Sequence, residues 1–425
     1  MSNSQSVPRR QDLIDRLQRA NKNAWPVIFA LILSIAIFSA LIDWERASKE
    51  PLLSLIAIAV AAGPFARDIL MFAVVKRKRV QDLKEHTRFG QYDKYLLQSL
   101  YKETMTRLKL PDFEVPLFIV ADRSMNAAAM HLGFGSFFKS INGIYLHRQV
   151  LHKLQPQEVQ DIIGHELGHY FKYYLVVDRF RILTVTLATL AALWVIQINR
   201  LDGFAAYMVI SLVPATIWWI SGLPYAYHAT AIEYLCDDFG AQVNGIIPAV
   251  NGLMKIGAEA ELQTIVIQQA TMSKAAGNLN ASELIETILN SMPYGTATKE
   301  EIETKVNAEI KKRAENRDVT LGGFFNFLWN SEQEVDSELM LEEQVKAIQR
   351  QQSKPRLDWE ALLLDAGNID FDEESLPMLI AMIDRDPTYP LFRISESQED
   401  GVHPPIKSRI VYLWNNRAEI EKSLS

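Results

Sequence analysis

The 425-residue chain is predicted to be a mostly helical α+β membrane protein with about four transmembrane helices. Three observations predict this. Apolar residues gather in blocks at 25–42, 52–75, 182–198 and 204–227; strand-like β-branched and aromatic runs are confined to 115–146; and an amphipathic helical pattern opens at Gln155. Composition agrees, since 48% hydrophobic and 22% charged residues describe a folded chain rather than a disordered one. The 44 Lys+Arg against 51 Asp+Glu leave a net charge of −7, which argues against nucleic acid as a partner held by a broad basic surface. The lone Cys236 excludes an intrachain disulfide and a thiolate-cluster metal site, so metal ligands here must be His, Asp or Glu.

The first block, WPVIFALILSIAIFSALI, is eighteen residues without a charge, about 27 Å as a helix and close to the thickness of a bilayer core. A signal peptide is the competing reading, but the block is long for one and no small-residue cleavage site follows it. The second block, 52–66 continuing as 69–75, is interrupted by Arg67 and Asp68, which places that pair near an interface. The third and fourth blocks are separated only by 199–203 and form a helical hairpin, either spanning the bilayer or buried in a soluble core. Trp218, Trp219, Tyr225 and Tyr227 suit a headgroup layer. Basic residues flank the first two spans: Arg9, Arg10, Arg16, Arg19 and Lys22 before the first, and Lys76, Arg77, Lys78 and Arg79 after the second. By the positive-inside rule both flanks are cytoplasmic, so 76–180 and everything from His228 onward share that side.

Residues 115–121 and 143–146 read as short strands, 127–133 as a third, and 133–135 as a turn. Gln155, Pro156 and Glu158 open a helix: proline suits the first turn, a carboxylate complements the dipole, and Val159, Ile162, Ile163 and Leu167 form an apolar stripe. On that helix lies His165-Glu166-Leu167-Gly168-His169, an H-E-x-x-H pattern. Imidazoles at i and i+4 project from one face and can hold one zinc ion, while Glu166 can reach the attacking water as a base. A pair of satisfied core histidines is the bland alternative.

A catalytic zinc needs a third protein ligand. Beyond the hairpin, Ala231-Ile232-Glu233-Tyr234-Leu235-Cys236-Asp237 puts Glu233 and Asp237 at i and i+4 of a helix. One face could therefore offer a zinc-binding carboxylate, Glu233, and a second, Asp237, to hold a ligand imidazole by its other nitrogen. Glu233 alone would read as a solvated helix face; its coupling to H-E-x-x-H across the hairpin is what singles it out. His86, His131, His147, His152 and His228 lack such spacing.

The order H-E-L-G-H, membrane hairpin, E-Y-L-C-D resembles the HtpX-type membrane zinc metalloproteases, the family that also includes the CAAX prenyl endopeptidases and carries H-E-x-x-H followed by E-x-x-A-D. Asn126-Ala127, Ile144-Tyr145-Leu146 and His403-Pro404-Pro405 with Arg409-Ile410 agree with further segments of that family. Cys236 departs from its usual alanine and is expected to pack. The resemblance implies a zincin-like domain, with a short sheet whose edge strand lies against the H-E-x-x-H helix, and one catalytic Zn2+ on His165, His169 and Glu233. It further implies that Glu166 is general base and acid, and that Asp237 orients a ligand histidine. His403 becomes an oxyanion donor, a ligand closing the metal in a resting state, or a structural His-Pro turn. Substrate backbone would pair as an added strand along Asn126, Ala127 and Ala128.

The organisation expected is a cytoplasmic segment 1–24, a transmembrane hairpin 25–75, the two halves of the catalytic domain at 76–181 and 228–258, and a second hairpin 182–227 between them. A helical elaboration follows at 259–400, with charged stretches at 299–316 and 332–343, and then a C-terminal H-P-P segment, 401–425, packing on the catalytic domain. The function implied is endopeptidase quality control of damaged membrane proteins at the cytoplasmic face of the inner (plasma) membrane, with polypeptides and the lipid bilayer as partners. A CAAX-type processing enzyme and a non-proteolytic zinc-binding sensor or adaptor are the alternatives.

Overall fold

A computed structural model of the chain describes residues 8–111, 115–121, 125–132, 140–272, 304–305, 308, 356–363, 368–392 and 403–424. The turn expected at 133–135, nearly all of 299–316 and the whole of 332–343 lie outside the described residues. Two compact units emerge. The larger comprises Val7–Gly245, Gly401–Pro404 and Asn415–Ser425, and the smaller Met1–Ser6, Ile246–Asp400 and Pro405–Trp414.

In chain order the larger unit holds α1 (Arg10–Leu41), α2 (Trp44–Lys49), α3 (Pro51–Val74), β1 (Arg77–Arg79), α4 (Lys94–Arg107), β2 (Leu117–Val120), β3 (Ala127–Met130) and β4 (Gly143–His147). It continues with α5 (Arg148–Lys153), α6 (Pro156–Leu167), α7 (Val176–Arg179), α8 (Arg181–Ile198) and α9 (Gly203–Ala241). The smaller unit contributes α10 (Ile246–Met272), α11 (Ser375–Arg385) and α12 (Ile406–Asn415), and α13 (Arg417–Leu424) ends the larger.

Helices α1, α3, α8 and α9 pack on one another. Three of them, α1, α8 and α9, are long and apolar enough to cross a membrane. In α3 the apolar stretch among the described residues is Pro51–Arg67. Ala57 and Ala61 are fully buried, small enough for backbones to approach, and Trp218 Nε1 donates to the Ala61 carbonyl at 2.8 Å. On the outside, Phe29, Phe204 and Trp219 are 69%, 79% and 68% exposed, an apolar surface that suits lipid rather than water. Two of these helices exceed their apolar blocks. α1 begins at Arg10, with Leu13 and Leu17 of its polar stretch buried, and α9 runs unbroken past Tyr227 to Ala241, so one helix carries both the membrane block and Glu233.

The sheet has the order β1-β2-β4-β3, with β2 and β4 parallel and both outer pairs antiparallel. β1 falls where the sequence predicts only a basic membrane flank. Its alternate residues Arg77 and Arg79 lie over the Phe118 ring at 5.4 and 5.6 Å, a cationic cover on an aromatic face that hydropathy does not register. The third predicted strand ends at Met130 and is the edge strand β3. His147 N donates to Asn126 O at 3.1 Å. By antiparallel alternation, Asn126, Ala128 and Met130 therefore turn their backbone groups to β4, while Ala127 and Ala129 turn theirs to the open edge. The Ala127 N–H is already taken, since it donates to Asn126 Oδ1 at 2.9 Å.

In the smaller unit, the Asn251 amide on α10 donates to Asp370 Oδ1 and Phe371 O, both at 3.0 Å, and accepts from Phe371 N at 2.8 Å. Buried Trp359 donates to Leu391 O at 2.9 Å, and Gly257 leaves room for the Phe392 ring, which a β-carbon there would meet at 2.2 Å.

Candidate metal centre

The helix α6 starts as its sequence demands. Pro156 occupies the first turn, Gln155 and Glu158 close a reciprocal cap with Gln155 N donating to Glu158 Oε2 at 2.8 Å, and Val159, Ile163 and Leu167 are buried. At Gly168 the helix widens into a π-turn over Gly168–Lys172, in which Tyr173 N donates to Gly168 O, five residues back, at 2.8 Å. Insertions of this type re-aim side chains and recur at functional sites. His169 stands in this turn and His165 just before it.

Three small contacts let α6 lie directly on α9. A β-carbon at Gly240 would meet Asp161 O at 2.5 Å, one at Gly164 would meet Gly240 Cα at 2.9 Å, and one at Gly168 would meet Cys236 Sγ at 3.1 Å. Cys236 is fully buried, in line with the packing role expected of it. Gly164 and Gly168 were not singled out by sequence reasoning, although their i, i+4 spacing is the small-residue signal for close helix contact.

This approach gathers the predicted residues. His165 Nε2 lies 3.2 Å from His169 Nε2 and 3.6 Å from Glu233 Oε2, and His169 Nε2 lies 3.3 Å from Glu233 Oε1. Among the described residues, His165, His169 and Glu233 are the one group of three such side chains that could hold a metal ion. Their separations fit the edge of a tetrahedron with metal–nitrogen bonds of about 2.0–2.1 Å, which is about 3.3 Å. Glu233 is 3% exposed and its Oε2 has no well-aligned hydrogen bond, although His403 Nδ1 is 3.0 Å away. A buried carboxylate oxygen without a well-aligned partner calls for a cation, and the donor set of two nitrogens and one oxygen suits zinc.

His165 Nδ1 lies 2.9 Å from Asp237 Oδ1, a hydrogen bond that assigns the proton to Nδ1 and leaves the Nε2 lone pair for the cluster. Glu166 is 6% exposed. Burial raises the pKa of its carboxyl; His165 and His169 oppose that shift, and Glu233 reinforces it. His403 is brought to Glu233, with its side chain 55% exposed. Asn126, Ala127 and Ala128 lie on or beside β3, which packs against α6 and the π-turn. Of the other histidines, His131 stacks on Tyr170 at 4.2 Å, with its Nδ1 3.1 Å from Tyr170 O, and burial lowers its pKa.

No curated protein and no solved structure matches the chain. Residues 93–281, which contain both motif helices, match the model of peptidase family M48, the zinc metalloprotease family of HtpX and the CAAX prenyl endopeptidases.

Proposed function

We propose that the protein is a membrane-integrated, zinc-dependent endopeptidase that cleaves misfolded or damaged membrane proteins at the cytoplasmic face of the inner membrane, with α3 as a fourth span. The observation that carries this reading is the compact triangle of His165, His169 and Glu233 beside buried Glu166. In this reading those three residues hold the ion, which when bound supplies the Lewis acidity that acidifies water and polarises a peptide carbonyl. Glu166 takes the proton from the attacking water and passes it to the leaving amine. Asp237 keeps His165 in the tautomer that points Nε2 inward. His403, beside Glu233, donates to the oxygen that becomes anionic in the transition state. Substrate lies as an added strand along β3, held by backbone groups, and so without strict side-chain preference.

The test is zinc stoichiometry and casein cleavage on detergent-purified protein. Wild type should hold one zinc and cleave, Glu166→Gln should keep zinc and lose cleavage, and Glu233→Ala should lose zinc. Zinc binding with no cleavage by wild type would favour a sensor or adaptor. Because Cys236 is the only cysteine, a Cys236→Ala background allows single-cysteine labelling at 46, 76 and 228. Labelling of 76 and 228 from the cytoplasm and of 46 from outside would support the orientation, and the reverse would refute it.

A further inference from the structure

The polar stretch of α1 ahead of the first apolar block lies outside the family match, yet it makes three contacts to segments bordering the metal centre. Arg10 Nε donates to Asp238 Oδ2 at 2.5 Å; Asp238 is fully buried, and Gln242 Nε2 donates to its other oxygen. Arg10 also ties in the C-terminal end of this unit, its N donating to Asn416 Oδ1 at 3.3 Å and its Nη1 lying 3.7 Å from Glu419. Arg16 Nη2 donates to Tyr227 O at 2.6 Å, with its guanidinium 4.1 Å from the Tyr227 ring. Asn21 Nδ2 donates to Tyr174 O at 2.8 Å while its Oδ1 accepts from Val176 N at 2.9 Å, gripping the loop that leaves the π-turn of His169.

A buried ion pair adds little net stability, because desolvation offsets the attraction; its use is geometric, since the carboxylate can be buried only where the guanidinium meets it. Asp238 follows Asp237 directly. Fixing Asp238 against Arg10 therefore fixes the rotation of α9 about its own axis, and with it the aim of Asp237 at His165 and of Glu233 at the cluster. We propose that Arg10 is a positioning residue of the metal centre, acting through Asp238, and that the polar stretch of α1 belongs to the peptidase rather than to the membrane anchor. This rests on the metallopeptidase reading above.

The test uses the full chain in detergent: wild type, Arg10→Ala, Arg10→Lys, Asp238→Asn and the double variant Arg10→Ala/Asp238→Asn. Three quantities are read: the visible spectrum of the cobalt-substituted protein, the rate of zinc loss to a chelator, and kcat and KM on a fluorogenic peptide. Arg10→Ala is expected to lose zinc about tenfold faster and to show about tenfold lower kcat, at the lower end of what outer-shell partners of a metal site contribute. KM should stay within about twofold, the cobalt spectrum should change, and Arg10→Lys should recover part of each loss. Asp238→Asn should show a loss of the same kind, and the double variant should be no worse than Arg10→Ala, since both act through one contact. Wild-type spectrum, zinc release and kcat in Arg10→Ala overturn the proposal. If that variant does not fold, the same wild-type values in Asp238→Asn, which keeps the shape of the side chain, overturn it. Failure of the wild type to hold metal would remove the metallopeptidase reading itself, and this inference with it.

Discussion

Replacing Gly240 by alanine tests the idea that the metal centre depends on direct contact between α6 and α9. The new methyl would stand 2.5 Å from Asp161 O, 3.0 Å from Asp161 Oδ1 and 3.1 Å from His165 N. Carbon–oxygen contacts settle near about 3.3 Å, so the helices must separate by roughly 0.8 Å at this point. The carboxylate can rotate away, but the two backbone atoms cannot. The His165–Asp237 hydrogen bond, 2.9 Å in the structure, then stretches beyond the range in which it holds the imidazole. Overpacking of this size costs about 1–3 kcal/mol of stability, and a catalytic group displaced by about 1 Å loses about a hundredfold in rate. The expected outcome is a folded protein with a melting point a few degrees lower, weakened zinc retention against a chelator and kcat reduced about a hundredfold. Gly222→Ala is the control, because a β-carbon there meets nothing within 4 Å on an exposed face of the same helix, and it should behave as wild type. Zinc retention and cleavage within twofold of wild type in folded Gly240→Ala would refute the reasoning.

Asp237→Asn should lower zinc affinity about 10–100-fold in a chelator competition, because the His165 tautomer loses its partner; unchanged affinity would remove the orienting role. Cys236→Ala should leave stability and cleavage near wild type, whereas Cys236→Leu, which drives a branched side chain towards Gly168, should lose measurable melting temperature and zinc; equal behaviour of the two would contradict the packing account. His403→Ala should reduce kcat about 10²–10³-fold with little change in KM if the side chain donates to the oxyanion, and a rise in rate would instead mark its contact with Glu233 as inhibitory. Ala129→Pro removes an outward N–H from β3 and should raise KM, whereas Ala128→Pro removes a ladder bond to β4 and should act first on stability; the opposite pattern would overturn the register.

The residues that meet at the centre were readable because their spacing is chemical information in itself. Two imidazoles four residues apart share a helix face wherever the helix sits, and Glu233 with Asp237 repeats that spacing across the hairpin. The strands at 115–121 and 143–146 were readable from their β-branched and aromatic content. β1 was not, because Arg77, Lys78 and Arg79 pair with β2 by virtue of aromatic rings elsewhere in the chain. The π-turn at Gly168–Lys172 leaves no compositional trace, since it follows from how α6 and α9 pack. Arg10 counted in the sequence only towards orientation; nothing local indicates that its buried partner would be Asp238, 228 residues further along the chain.

The unbroken run of α9 sets a distance. Glu233 lies six residues beyond Tyr227, where the apolar block ends, and at 1.5 Å per residue that is about 9 Å along the helix axis. On the proposed reading, with α9 crossing the bilayer, the metal centre would stand close above the headgroups and at a fixed height, because no loop intervenes to let it rise or sink. An extended polypeptide covers about 3.3 Å per residue, so if the substrates are membrane proteins, as proposed, roughly three residues of slack next to a substrate's own membrane helix would be enough to reach it. A tightly folded domain perched on the same membrane offers no such slack. On that reading selection would operate through tether length and local unfolding, with α9 serving as the ruler.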